Sequence, residues 1–322
     1  MSQSEILRGD EVIFSTFEEL LEMEMEHTEW VIDPFLPAGG KMLLYGETGE
    51  GKSQLAMSAA FSVVQGSLFL GSYKCKRGPV LYIQADMPLQ EWRERILISM
   101  KGLTRDREPL HDAFYPAGLN ILKEADNVSK SPLAAFIREC GAVLVIVDVL
   151  GNTHELDPNK SETVKAVYNA WQAVVGPGAG IMFVHHEKKE QAGFTKPNKW
   201  AFSGAHEWLD FSSSSWRIFP KKHNTEIWVE NPKAARNAVR MDPMRLVRLE
   251  NLTLEKAQNE SVEDWLQNEL RLGRMSKEAL AKEATDIDRW WPGKAMTKPT
   301  VYRRLEKYQQ VRPVSPSETE IC

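Results

Sequence analysis

The chain has 322 residues, 42% of them apolar, which is enough to bury a large core and leave material for a small appended unit. A net charge of −5 argues against a protein that holds nucleic acid by bulk positive charge, although a channel needs only a positive lining. Cys75, Cys140 and Cys322 show neither zinc spacing nor a disulfide framework, no apolar run reaches about 18 residues, and the first ten residues lack a signal peptide's apolar stretch, so the expectation is a cytoplasmic chain with no membrane span.

Residues 1–36 read as an entry segment, with a short helix expected over 14–25 that places Phe17, Leu20 and Leu21 on one face. Pro37-Ala38-Gly39-Gly40 marks a turn and opens a core expected over 37–250. Within it, Met42-Leu43-Leu44-Tyr45 is an apolar run ending at a glycine-rich loop, and 55–64 suits a helix. Val80-Leu81-Tyr82-Ile83, 143–147 and 181–184 are further short apolar runs. Continuous apolar strands separated by helical stretches predict an α/β fold: a mainly parallel sheet covered by helices on both faces. Before the fourth run, Val164, Val167, Tyr168, Trp171, Val174 and Val175 recur at three- and four-residue spacing and predict a core-facing helix.

After Ser212 the pattern changes. Trp216-Arg217-Ile218-Phe219, 226–229 and 245–249 read as strands joined by short polar turns, an antiparallel extension of the sheet. Residues 251–260 are polar and read as a linker. Over 261–310 a small helical domain is expected. Val262, Trp265, Leu266 and Leu270 form one amphipathic stretch, and Ser276 caps a second over 277–284. A third begins at Thr297, with Val301, Leu305 and Tyr308 inward and Arg303, Arg304 and Lys307 outward. This order resembles a winged-helix or helix-turn-helix module. Arg303 and Arg304 are candidates for duplex DNA, and docking onto replication proteins or capping an assembly is the alternative. Residues 311–322 contain proline and serine and read as a flexible tail.

The motif with the most specific chemistry is Gly46-Glu47-Thr48-Gly49-Glu50-Gly51-Lys52-Ser53, followed by Gln54, lying between a strand and a helix. Glycines let backbone N–H groups curl around phosphates, and the helix N-terminus adds partial positive charge. Lys52 is expected at the β- and γ-phosphates of ATP, and Ser53 at Mg²⁺. Asp148 ends the 143–147 run and is the expected second Mg²⁺ partner, acting through water. Its neighbour is Val149, so a base taken from that position is disfavoured. Asp86, just past the second strand, is the candidate base for activating water, with helix capping ahead of Pro88 as the plainer reading. His185 and His186 end the fourth strand, where a neutral imidazole can bond a phosphate or the attacking water. His186 is the preferred candidate.

These segments, together with Leu81-Tyr82-Ile83-Gln84-Ala85-Asp86, Val184-His185-His186-Glu187-Lys188-Lys189 and Ser203-Gly204-Ala205 followed by Trp216-Arg217, resemble the RepA-type hexameric replicative helicases of plasmids and their phage relatives, a branch of the RecA/DnaB superfamily. The resemblance runs from Trp30 to about Leu249. It implies a RecA-like core, a ring of six copies, ATP and Mg²⁺ between neighbours, and single-stranded DNA in the central hole. It also implies that Lys233 and Arg236 enter the neighbour's ATP site. The DNA-contacting segments would be 151–160 and 187–202, the latter with Lys188, Lys189, Lys196 and Lys199 beside Phe194 and Trp200. Two departures stand out: the family's glutamate after the second strand is Asp86 here, and Phe202 stands where the family has an arginine. A RecA-class filament or recombination ATPase is the alternative reading of the same site, and a DNA-binding regulator with a slow ATPase switch is a third. A nucleotide kinase would need a lid with paired arginines, which the sequence lacks.

Overall fold

Short strands buried on both faces make up the core of this chain, seen in a computed structural model that describes residues 17, 28–115, 119–186, 207–220, 227–233, 243–257, 262–272, 275–285 and 296–310. In chain order, a two-stranded antiparallel ribbon, β1 (Trp30–Ile32) and β2 (Leu36–Pro37), precedes β3 (Lys41–Gly46) and α1 (Lys52–Gln65). Next come β4 (Val80–Gln84), α2 (Leu89–Ser99), β5 (Leu110–Phe114), α3 (Ile121–Asp126) and α4 (Pro132–Cys140). They are followed by β6 (Leu144–Asp148), α5 (Ser161–Val175), β7 (Gly180–His186) and the short α6 (Glu207–Asp210). Four more strands then follow: β8 (Ser214–Pro220), β9 (Ile227–Lys233), β10 (Met244–Arg248) and β11 (Leu254–Lys256).

The strands from β3 to β11 form one nine-stranded sheet in the order β11-β10-β9-β8-β3-β7-β6-β4-β5. From β8 to β5 every neighbouring pair is parallel, and from β8 to β11 every pair is antiparallel. The fold is therefore α/β, as the apolar runs predicted. Period-two alternation sorts side chains onto two faces. Met42, Leu44, Tyr82, Ile146, Met182, Val184 and Trp216 pack with α1 and the β1–β2 ribbon on one face. Leu43, Tyr45, Leu81, Ile83, Val145, Val147, Ile181 and Phe183 pack with α3, α4 and α5 on the other. The stripe Val164, Val167, Tyr168, Trp171, Val174 and Val175 is buried in that second layer.

Two expectations are corrected. Past Ser212 the extension is antiparallel only beyond β8, because β8 itself runs parallel to β3. The stretch 251–260, read as a linker, contains β11, which pairs with β10, and Leu254 is 1% exposed. Its polar composition hid one strand whose alternate residue faces the core. The Leu254 amide donates to the Ser58 hydroxyl at 2.7 Å, tying this edge strand to α1. Leu254→Ala is accordingly expected to cost about 2–4 kcal/mol in chemical denaturation. A solvated linker residue would give a change within about 0.5 kcal/mol.

Three helices follow: α7 (Val262–Leu272), α8 (Lys277–Ala284) and α9 (Lys298–Gln310). Val262, Trp265, Leu266, Leu280, Ala281, Ala284, Val301 and Leu305 form their own cluster. The Ser276 hydroxyl accepts from the Ala279 amide, capping α8. No described helix is long and apolar enough to cross a membrane. The helix expected over 14–25 lies outside the described residues except for Phe17, which is helical and exposed. Also outside them are Lys188, Lys189, Phe194, Lys196, Lys199, Trp200, Phe202, Ser203-Gly204-Ala205, Arg236 and the tail 311–322.

Candidate nucleotide site

Parallel strands all end at one edge of the sheet, so their C-terminal residues and the following loops collect there. The chain order jumps from β3 over β7 and β6 to β4, and at such a switch point the loops diverge and leave a crevice. The glycine-rich loop leaves β3 at Gly46 and enters α1 at Lys52. Gly51, with φ 98°, turns the chain into the helix in the left-handed region, and as the cap residue it offers no side chain to the first turn of α1. The leading N–H groups of α1 therefore start at the loop without an acceptor from their cap residue, the arrangement that suits a phosphate. Gly46 is needed for a second reason: a Cβ there would lie 2.3 Å from the Ile218 carbonyl oxygen of β8.

Lys52 is buried, and its ammonium donates to the carbonyls of Gly46 at 2.9 Å and Glu47 at 2.6 Å, which folds the loop around the positive charge. Asp148, 3% exposed, closes β6 on the face of α1. Its Oδ2 accepts a 2.6 Å hydrogen bond from the Tyr82 hydroxyl, and Ser53 donates to the same carboxylate. Burial raises the Asp148 pKa, and the Tyr82 and Ser53 bonds pull against it. The peptide between Asp148 and Val149 is cis.

A hydroxyl beside one buried carboxylate is a hard oxygen donor set that fits Mg²⁺. Among the described residues there is no cluster of three or more histidine, cysteine or acidic side chains that could hold a metal ion. Ser53 and Asp148 would hold the ion together with phosphate oxygens and water, and the ion would neutralise charge on the phosphates.

Strand alternation separates the two histidines. His186 falls on the α1 face, where its Nδ1 lies 3.4 Å from the Thr48 hydroxyl in the loop. Burial first, and the Lys52 charge second, hold its pKa below the usual histidine value, so the ring is neutral near pH 7. His185 falls on the opposite face, buried, with its ring 5.6 Å from that of Trp208.

Asp86 lies just past β4, exposed to solvent at the same edge. The Asn152 amide donates to the Ala85 carbonyl at 2.8 Å and to Asp86 Oδ1 at 3.2 Å, so the start of 151–160 packs onto the candidate base. The exposed residues of that segment include Glu155 and Asp157 against Lys160, a weaker lining for a phosphate backbone than its position suggested.

Tyr82, Gln84, Asn152 and Arg95 were not singled out from the sequence. Tyr82 and Gln84 were findable, because alternation places both on the Asp148 face. Asn152 and Arg95 come from a loop and a helix whose approach is tertiary. Arg95, on α2, carries a charge that acts on both Tyr82 and Asp148.

Lys233 pairs with Ser215, level with Leu43 near the start of β3, and is not part of this chain's own cluster. Its ammonium donates to the carbonyls of Leu209 and Asp210 at the end of α6. Arg303 is exposed on α9, and Arg304 is bonded at 2.8 Å to Glu263 of α7.

One consequence of this geometry is specific to Tyr82. Tyr82→Phe keeps the ring packed on Trp92, 4.8 Å away, and removes only the hydroxyl from Asp148. Hydrogen bonds to charged groups contribute about 1.5–3 kcal/mol. The expected result is a Mg²⁺ requirement for hydrolysis shifted upward by about tenfold or more, read by titrating Mg²⁺ at fixed ATP.

A glycine-rich phosphate loop at the switch point of a mainly parallel sheet, with Asp148 beside it, defines a P-loop ATPase. The chain belongs to the AAA domain family AAA_25, whose model matches residues 9–192. Membership implies a bound nucleotide, usually with Mg²⁺. Among solved structures the chain is similar to the crystal structure of the RadB recombinase, at 14% identity and a TM-score of 0.47, over 70% of this chain and 93% of that one. No curated protein matches it.

Proposed function

We propose that this P-loop ATPase is a motor on single-stranded DNA, of the RepA/DnaB-like replicative helicase kind. The observation that supports this most is the course of β7. Its last residue, His186, stands beside the loop at Thr48, and the chain passes at once into 187–202, which carries Lys188, Lys189, Lys196 and Lys199 with Phe194 and Trp200. Cations with aromatic rings suit the phosphates and bases of a single strand. A nucleotide-dependent shift of His186 would thus act on the DNA-contacting segment through the adjoining backbone.

In this reading Lys52, Ser53 and the loop residues through Gln54 bind MgATP, Asp148 holds the ion, and Asp86, steadied by Asn152, takes the proton of the attacking water. Lys233 and Arg236 serve a neighbouring copy's site, since Lys233 stands apart from its own. A closed ring of six copies is the assembly proposed. The C-terminal helices would meet duplex DNA or replication proteins, with Arg303 the freer of the two arginines. A filament-forming recombination ATPase is the competing reading.

The test is ATP hydrolysis in Mg²⁺ buffer with and without single-stranded DNA, alongside mass measurement with ATP. Strong stimulation and a discrete hexamer are expected. Hydrolysis indifferent to single strands would sink the motor and favour a switch-like regulator. A distribution of lengths would favour the filament.

A further inference from the structure

Gln84 is the last residue of β4, has no exposed surface, and is the register partner of Asp148 on the neighbouring strand. Alternation from Val80 and Tyr82 puts its side chain on the same sheet face as α1 and Asp148. Its Oε1 accepts hydrogen bonds from the backbone amides of Asp86, at 2.5 Å, and Met87, at 3.2 Å. Two N–H donors on one side of the amide fix its orientation: the oxygen must face them, so the Nε2 group is directed elsewhere. Nε2 is enclosed and has no hydrogen-bond partner among the described residues. A buried amide donor left without an acceptor is costly, and such exceptions in a folded chain point to a missing ion, water or ligand.

The geometry points to the terminal phosphoryl group of bound ATP as that acceptor: Gln84 Nε2 donates to one of its oxygens, making Gln84 a catalytic residue of this site. The inference rests on the reading of the glycine-rich loop as the ATP site. Three observations support the choice of acceptor. Gln84 shares its face and strand-end level with Asp148. Its Oε1 anchors the backbone that carries Asp86. And Nε2 is shielded from water, where a donor aimed at developing negative charge has its largest effect.

In the step itself the water oxygen bonds to the terminal phosphorus. The bond from that phosphorus to the bridging oxygen breaks, its electron pair stays on ADP, and the water proton passes to the Asp86 carboxylate. Gln84 neither gives nor takes a proton. It neutralises part of the charge spread over the transferring group, while its Oε1 keeps Asp86 in place for the water.

The test is Gln84→Glu, which keeps an oxygen for the amides of Asp86 and Met87 and replaces the donor. The measurements are kcat and KM for MgATP, and Kd for ADP and for ATPγS. The expected result is kcat lower by about 10²-fold, ADP affinity within about twofold, and a preference for ATPγS over ADP reduced by about tenfold. Wild-type kcat with an unchanged preference overturns the proposal. So does an equal loss of both ligands together with a lowered melting temperature, which would mean that Gln84 only holds the fold. If the variant does not fold, the wild-type side-chain amide signal of Gln84 decides by NMR: it must shift with ATPγS and Mg²⁺ beyond its shift with ADP and Mg²⁺, and equal shifts overturn the proposal. Lys52→Ala run in parallel keeps the two readings apart. If it hydrolyses normally, the ATP-site reading fails. If it is inactive while Gln84→Glu behaves as wild type, only the role of Gln84 fails.

Discussion

Lys52→Ala is expected to lower ATP hydrolysis by on the order of 10³-fold while leaving the fold intact. The ammonium is the only lysine charge within the glycine-rich loop, and it is held at the loop's centre by the carbonyls of Gly46 and Glu47. A buried cation so placed meets the phosphates with little water to screen it, and removing it takes away the one full positive charge that the loop itself supplies. The Lys52 hydrogen bonds to the carbonyls of Gly46 and Glu47 lie within the loop and do not hold the sheet or its helices, so the circular dichroism spectrum should not change. The same substitution should raise the pKa of His186, because the Lys52 charge is the second cause holding it down. Histidine NMR titration would show this even where hydrolysis is too slow to follow. Full hydrolysis in a pure sample of the variant would remove the assignment of the loop.

Trp216→Ala should be strongly destabilising, at about 3–5 kcal/mol. That corresponds to a fall in melting temperature of about 6–20 °C for a core of this size. Trp216 is wholly buried on β8, edge-on to Phe35 at 4.7 Å and stacked on Phe69 at 5.6 Å, with Tyr73 at 6.1 Å. It joins the central sheet to the β1–β2 ribbon, which the Ser214 hydroxyl also holds through the Phe35 carbonyl. Its indole N–H is buried without a partner among the described residues, so Trp216→Phe gives up no hydrogen bond and should cost about 1.5 kcal/mol or less. If the alanine and phenylalanine variants melt together, the ring cluster does not hold the ribbon.

Much of the site could be read before the fold was known, because its residues follow local rules. A glycine-rich loop must lie between a strand and a helix to bind phosphate. Asp148, Asp86 and the histidine pair each follow an apolar run, and parallel strands deliver such positions to one edge. Any strand turns successive side chains to opposite faces, and that geometry carried one step further would have found Tyr82 and Gln84 and separated His186 from His185. The linker reading of 251–260 failed because a three-residue edge strand with one buried side chain has almost no periodic signature.

Composition and apolar spacing thus determine the fold class, the phosphate loop and the strands that carry acidic residues, since each is set by neighbours a few positions away. Strand order, which inserts β7 between the loop and Asp148, depends on pairings between distant segments. So do the Tyr82 hydroxyl on Asp148, the Asn152 contact with Asp86 and the Nε2 of Gln84 that has no partner among the described residues, because hydrogen-bond partners in a packed interior are chosen by which surfaces meet. Residues far apart along the chain carry no local signal of that meeting.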